Sequence, residues 1–305
     1  MFTSKSNLEF LGAFVKVSES TIDEHAKRSL SVYMMNTNAN QFAYDALIEK
    51  LMEPMVDFAL SRVTKKTYED SPVHLVKRAR ETFRKLTANK GELGEVLLYC
   101  FLESHLKAPK ILTKYELKTS PNMHANGSDG IHYLKLENGN YQLIFCESKM
   151  YEAIGSAIED AFESIRLFKE EVTEESEYKP GIVFEKSLLS NHLEKETFSQ
   201  EDARFLKRLV YPTKNDEEEL VVVDDAFAVF IGYEMKISDK DKEKPNHVFR
   251  EELKERINKY VSKKIDKINN AIRANGLIGH DIYIYVVPFT DLTKSRQKIL
   301  EGIIK

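Results

Sequence analysis

The stretch "IFCESKMYEA", residues 144–153, ends an apolar run with a glutamate and a lysine two positions apart. On a β-strand such positions share a face, so Glu147 and Lys149 point the same way and Ser148 points the other. The pair is either a salt bridge or part of a reaction centre. Two acids upstream, Glu95 and Asp129, complete a set whose types suit one chemistry. Carboxylates are hard oxygen donors that hold Mg²⁺, or Mn²⁺ in its place. With a phosphate as further ligand, such an ion activates water and neutralises charge in the transition state. A lysine beside it orients the attacking water and stabilises the developing charge, and a lowered pKa would let it accept a proton. The set points to metal-assisted phosphodiester hydrolysis.

A rival stands at Glu234-Met235-Lys236, but its nearest upstream acids, Asp224 and Asp225, belong to the same extended run. Nine steps from Asp225 to Glu234 span about 30 Å and leave the two on opposite faces. Asp129 and Glu147 instead lie on opposite arms of a hairpin, "IHYLKLENGNYQLIFCESK", signalled by Asn138-Gly139 between two period-two runs. A two-residue loop there pairs Asp129 with Ser148. A three-residue loop over residues 137–139, with Gly139 left-handed, pairs Leu136 with Asn140 and Asp129 with Glu147. The three-residue loop, or a bulge of the same effect, is expected.

Positioning these side chains takes an α/β frame. Leu93, Val96, Leu97, Cys100 and Phe101 recur at helical spacing, so residues 91–106 form a helix on which Glu92 and Glu95 are neighbours. Either can serve as the helix acid; an exposed helix charge is the plainer alternative. A strand is expected in "ILTKYELKTS". Apolar residues on both faces of the second hairpin arm (Tyr141, Leu143, Phe145; Ile144, Cys146) mark a central strand covered on both sides. Then follow a helix over residues 155–171, an irregular acidic stretch to 219, and a strand in "LVVVDDAFAVFIGYEMK". One long amphipathic helix comes next, "VFREELKERINKYVSKKIDKINNAIRANG", with Ile257, Tyr260, Val261, Ile265, Ile268 and Ile272 on one side, and "DIYIYVVPF" is the closing strand. This order describes a mixed sheet flanked by helices. Residues 1–89 read as a mostly helical N-terminal region with a strand in "LEFLGAFVKV", and residues 90–305 as the catalytic domain.

Among 305 residues, 42% are hydrophobic, enough for a sizeable core. The longest apolar stretch, "AFAVFIGY", is far below the roughly 20 residues a membrane helix needs, and the start lacks a signal-peptide layout. A cytoplasmic protein without a membrane partner is expected. Cys100 and Cys146 sit in apolar runs as buried thiols, and no zinc pattern can be built from them. The net charge of −4 is uneven: residues 71–120 hold ten Lys/Arg against five Asp/Glu, whereas residues 151–225 hold nine against twenty. Phosphate therefore finds only local basic surfaces. Lys77, Arg78, Arg80, Arg84 and Lys85 are the candidates to grip it, with a solvated face as the alternative. Lys263, Lys264 and Lys267 read as solvated, and His124 and His132 as loop or hydrogen-bonded histidines rather than bases.

"GELGE", "GSDG" and "ESK", in that order on helix, strand and strand, resemble the core of the PD-(D/E)xK nucleases, of restriction-endonuclease-like fold. More narrowly, "GELGEVLLY", "GSDGIH" and "ESKMYEAIGSAIEDA" together resemble the HamA family, the nuclease effectors of Hachiman anti-phage defence. Carried over by position, the resemblance implies Asp129 and Glu147 as metal carboxylates, Lys149 as catalytic lysine and Glu95 as the helix acid near the metal. The superfamily's Pro-Asp is here Ser128-Asp129. The resemblance further implies DNA as substrate and a helicase partner that senses abnormal DNA and controls release of the nuclease. A degenerate nuclease fold that binds nucleic acid or a partner without cleaving, and a purely structural interaction subunit, are the other classes open at this point.

Overall fold

In the computed structural model, which describes residues 8–25, 27–86, 91–113, 127–193, 200–211 and 222–305, the chain begins with α1 (Leu8–Leu11), β1 (Phe14–Thr21), β2 (Arg28–Met35), and the two-residue strands β3 (Thr37–Asn38) and β4 (Gln41–Phe42). Helices α2 (Tyr44–Ala59), α3 (Arg62–Thr67), α4 (Pro72–Leu86) and α5 (Glu92–Phe101) follow, α5 being extended by a π-helical turn over Leu102–Leu106. The middle comprises β5 (Lys110–Thr113), β6 (Gly130–Lys135), β7 (Tyr141–Tyr151), α6 (Ile154–Glu170), α7 (Ile182–Leu193) and α8 (Gln200–Val210). The remainder is β8 (Val223–Glu234), α9 (Asp239–Lys242), α10 (Asn246–Ser262), α11 (Ile265–Ala274), β9 (Ile282–Phe289) and α12 (Leu292–Ile304).

Seven strands make one mixed sheet in the order β1-β2-β9-β8-β7-β6-β5, parallel from β2 through β7 and antiparallel at both margins. The fold is α/β with helices on both faces. Strands buried on two sides need apolar residues at every position, and β8 meets this: Ala226 through Ile231 have no exposed surface. On one face, Gly94 of α5 comes so close to β7 that a Cβ there would stand 3.0 Å from the Ser148 Cβ. On the other, Phe168 of α6 meets Phe145, with ring centroids 5.4 Å apart, and Phe205 of α8 meets Tyr133 and Tyr141. Side chains of β7 therefore alternate between an α5 face (Ser148, Met150) and an α6 face (Phe145, Glu147, Lys149). Each aromatic ring buried here contributes about 1.5–3 kcal/mol.

Several expectations change. The N-terminal region supplies β1 and β2 to the same sheet, β2 pairing with β9, so the sequence boundary at residue 89 does not divide the sheet. The stretch to residue 219 is not irregular: within its described part, α7 and α8 bury Ile182, Leu189, Leu206, Leu209 and Val210. The long C-terminal helix breaks at Lys263-Lys264 into α10 and α11. The buried residues Phe249, Leu253, Ile257 and Val261 recur every four positions. On a helix of 3.6 residues per turn that stripe drifts by about 40° at each step, and the break lets Ile268 and Ile272 face the core again. Tyr260, assigned to that face, is 39% exposed. The strand in "ILTKYELKTS" is described only as Lys110–Thr113; its continuation lies outside the described residues. No described helix is long and apolar enough to cross a membrane.

Candidate active site

The hairpin turns through three residues. Leu136 N–H donates to the Asn140 carbonyl at 2.8 Å, Gly139 N–H donates to the Leu136 carbonyl, and Gly139 has φ +86°. This left-handed conformation is cheap for glycine alone. The resulting register runs from Lys135↔Tyr141 to Ile131↔Phe145; beyond it the Cys146 carbonyl takes the Asp129 amide where an unbroken register would give it that of Gly130, so the ladder slips there and Asp129 is not a rung partner of Glu147. Even-numbered amides of β7 then face β6. Past the last rung, the Ser148 amide is taken by the Asp129 side chain: Asp129 Oδ2 accepts from Ser148 N at 2.9 Å and from Ser148 Oγ at 2.8 Å. The Asp129 amide itself donates to the Cys146 carbonyl.

On the α6 face, Lys149 Nζ lies 3.0 Å from Glu147 Oε1 and 3.2 Å from Asp160 Oδ2 of α6. The Tyr151 hydroxyl donates to the same Asp160 oxygen. Burial pulls the Lys149 ammonium down, but Glu147 and then Asp160, each by charge and by hydrogen bond, together push it well above the ordinary lysine range. The lowered pKa expected for a proton-accepting lysine is thus reversed; these surroundings favour the cation. Cys146 is buried and reduced, its thiol pushed well up by burial and then by the charges of Asp129, Glu185 and Glu147.

Glu95 is carried by α5, whose Gly94 packs against Ser148 and Met150 of β7. Both Glu92 and Glu95 are buried, at 1% and 7% exposure, rather than exposed helix charges. Glu95 Oε1 lies over Gly91, 3.5 Å from where a Cβ would sit. Among the described residues, no group of three or more His, Cys, Asp or Glu side chains is placed to hold a metal ion. The donor chemistry still suits a hard divalent cation through Asp129 and Glu147, since Mg²⁺ takes one or two carboxylates and completes its shell with water and phosphate. Lys149, but neither Asp129 nor Glu147, borders a cleft of about 950 Å³, lined also by Gly91, the rest of residues 148–153, Ser156 and one side of α12, including Arg296. Arg296 Nη2 donates to the Met150 carbonyl at 3.1 Å, and its buried Nε has no hydrogen-bond partner in the described structure. Burial pulls the guanidinium down and the Glu92 charge raises it.

The other candidates have structural employment. Arg80 and Arg84 donate to the carbonyls of Lys305 and Ile304 at the end of α12, Arg78 pairs with Glu81, and Lys77 is exposed. The Lys85 side chain and His124 lie outside the described residues. His132 is buried with Nδ1 bonded to the Ala108 carbonyl, and burial holds its pKa at about 4. In the rival motif Glu234 Oε2 accepts from Leu292 N at 2.9 Å and so caps α12, while Lys236 is exposed. Lys267 pairs with Glu159 and Lys264 lies over the Tyr260 ring, so neither is simply solvated.

Asp160, Arg296 and Glu185 are site residues that sequence reasoning missed. Glu185 of α7 is 4% exposed and accepts from Ser128 N at 2.6 Å and Ser128 Oγ at 2.7 Å. For Arg296 a signal existed: Asp291, a helix-capping type, followed by Leu292, Ile299 and Ile303 at helical spacing. The sequence model of the HamA family matches residues 10–303. No curated protein and no solved structure gives a significant match.

Proposed function

The chain belongs to the HamA family, and so to Hachiman anti-phage defence, a multi-component system; from that premise we propose that it is the effector of its system, a metal-dependent DNA nuclease under control of a partner helicase. The observation that carries this reading is the end of β7. There Glu147 and Lys149 stand side by side, Asp129 is held by Ser148, and a cleft bordered by Ser148 and Lys149 opens.

Asp129 and Glu147 would hold Mg²⁺, which when bound supplies Lewis acidity to water and offsets charge at the scissile phosphate. Lys149, kept cationic by Glu147 and Asp160, stabilises the negative charge that gathers on the phosphoryl oxygens during attack. Ser148, through two hydrogen bonds, aims the Asp129 carboxylate. Arg296, on the α12 wall of the same cleft, is placed to steady a neighbouring phosphate, and the exposed Lys77 adds to the long-range attraction. With a net charge of −4 the chain alone should bind duplex DNA weakly and with steep salt dependence, which suits delivery or restraint by a partner.

A second reading, a fold that binds nucleic acid without cutting it, draws on the lack of a three-carboxylate cluster among the described residues. Incubating the purified chain, with and without its helicase, on circular and linear DNA in Mg²⁺ and in EDTA separates the two. Mg²⁺-dependent cuts that change with the helicase support the nuclease. DNA left intact under every condition supports the second reading.

A further inference from the structure

The loop before Asp129 is built around a carboxylate that the mechanism above does not use. Glu185 takes both the amide and the hydroxyl of Ser128, at 2.6 and 2.7 Å, one residue ahead of Asp129. Gly127 makes room for this grip, because a Cβ at that position would fall 1.5 Å from Glu185 Oε1. Two consecutive residues are therefore shaped to Glu185, and the third, Asp129, turns its carboxylate to Ser148 of β7. The helix bearing Glu185 is itself anchored to the C-terminal end of α6. Glu171, left-handed at the end of α6, accepts from the amides of Gly181, Val183 and Phe184 at the start of α7 through one oxygen. That same α6 carries Asp160, the partner of Lys149.

We propose that Glu185 is a positioning residue that sets the Asp129 carboxylate by fixing Ser128, so that the α6–α7 unit aligns both halves of the site. It acts through Ser128 rather than on substrate or reacting atoms. The grip does what a proline before the aspartate would do by fixing φ, with two hydrogen bonds in place of a ring. Its catalytic consequence rests on the nuclease reading; its structural claim does not. Buried bonds to an ionised acceptor are the strong ones, and a displacement of about 1 Å at a catalytic group costs on the order of 10²-fold in rate.

The test compares the full chain with its Glu185→Ala, Glu185→Gln and Ser128→Ala variants, with Val183→Ala, on the exposed side of α7, as control. Amide hydrogen exchange at Ser148 and steady-state DNA cleavage in Mg²⁺ are read together. Expected are exchange at Ser148 at least about tenfold faster in Glu185→Ala, kcat reduced about 10²-fold and KM for DNA unchanged. Glu185→Gln should recover most of both, because its carbonyl still accepts the Ser128 amide and its NH₂ can donate to the hydroxyl. Ser128→Ala should fall between. Protection at Ser148 that is unchanged in Glu185→Ala overturns the proposal. So does a loss that Gln fails to repair while the protein remains folded. Should the parental chain leave DNA intact, the nuclease reading fails, and the exchange at Ser148 still decides for or against Glu185.

Discussion

Replacing Lys149 by alanine has two separable consequences. The ammonium lies between Glu147, whose side chain is 15% exposed, and Asp160, which is 45% exposed. Coulomb attraction at this range in an effective dielectric of 20 is about 4 kcal/mol per pair, but desolvation of both partners opposes most of it. What remains is the cost of leaving Glu147 largely buried without its cation, about 2 kcal/mol. The better-solvated Asp160 adds under about 1 kcal/mol. A total of about 2–3 kcal/mol lowers Tm by roughly 3–5 °C in a chain of this size. Lys149→Met combined with Glu147→Gln removes the orphaned charge and should regain most of that loss. Both proteins should be inert on DNA. Thermal and urea unfolding at pH 7, beside a cleavage assay, read the two effects. If Lys149→Ala is as stable as the parent, or the double variant is less stable than the single, the ion-pair account of this lysine is wrong.

Gly139→Ala places a Cβ at φ +86° and should cost about 1 kcal/mol in urea unfolding, with a larger penalty for Val, if the three-residue turn sets the register. Burial keeps His132 neutral at a pKa of about 4 against an unfolded value of 6.5. Its folded-state pKa is depressed, so stability is whole above pH 6.5 and declines as pH falls toward 4, by about 2 kcal/mol between pH 7 and 5. His132→Asn retains a donor for the Ala108 carbonyl and should lose that part of the slope in urea midpoints at the two pH values. Glu234→Ala, which uncaps α12, should lower stability by about 1 kcal/mol and leave an active enzyme; cleavage abolished in a folded Glu234→Ala would return the rival motif to contention.

How much of this was legible follows the range of the forces involved. Glu147 and Lys149 share a face because strand alternation is a local rule, and the three-residue turn that sets the hairpin register follows from the chemistry of Asn138-Gly139, so both can be read from the sequence. Asp160 and Glu185 cannot. Their approach to Lys149 and Ser128 depends on how α6 and α7 dock, and an acidic stretch with twenty carboxylates offers no local mark to pick out either. The upward direction of the Lys149 pKa comes first from Glu147, which was in view, and then from Asp160, which was not. Neighbouring acids on α5 were visible, but which face of β7 that helix covers was not. "RSLSVYMM" became β2 because its pairing with β9, about 250 residues away, buries it; the stretch itself carries only a weak alternating pattern.

The central claim is that Asp129, Glu147 and Lys149 act as one unit in Mg²⁺-dependent DNA hydrolysis. Cleavage rates in Mg²⁺ for the parent, Asp129→Asn, Glu147→Gln, Lys149→Ala, their pairwise combinations and Lys236→Ala test it in one experiment. The account predicts that every single substitution in the trio abolishes cutting, that the pairs are hardly worse than the singles, and that Lys236→Ala cuts at the parental rate. Lys149→Ala cutting at the parental rate while Lys236→Ala is dead would contradict it and leave Glu147–Lys149 as a salt bridge.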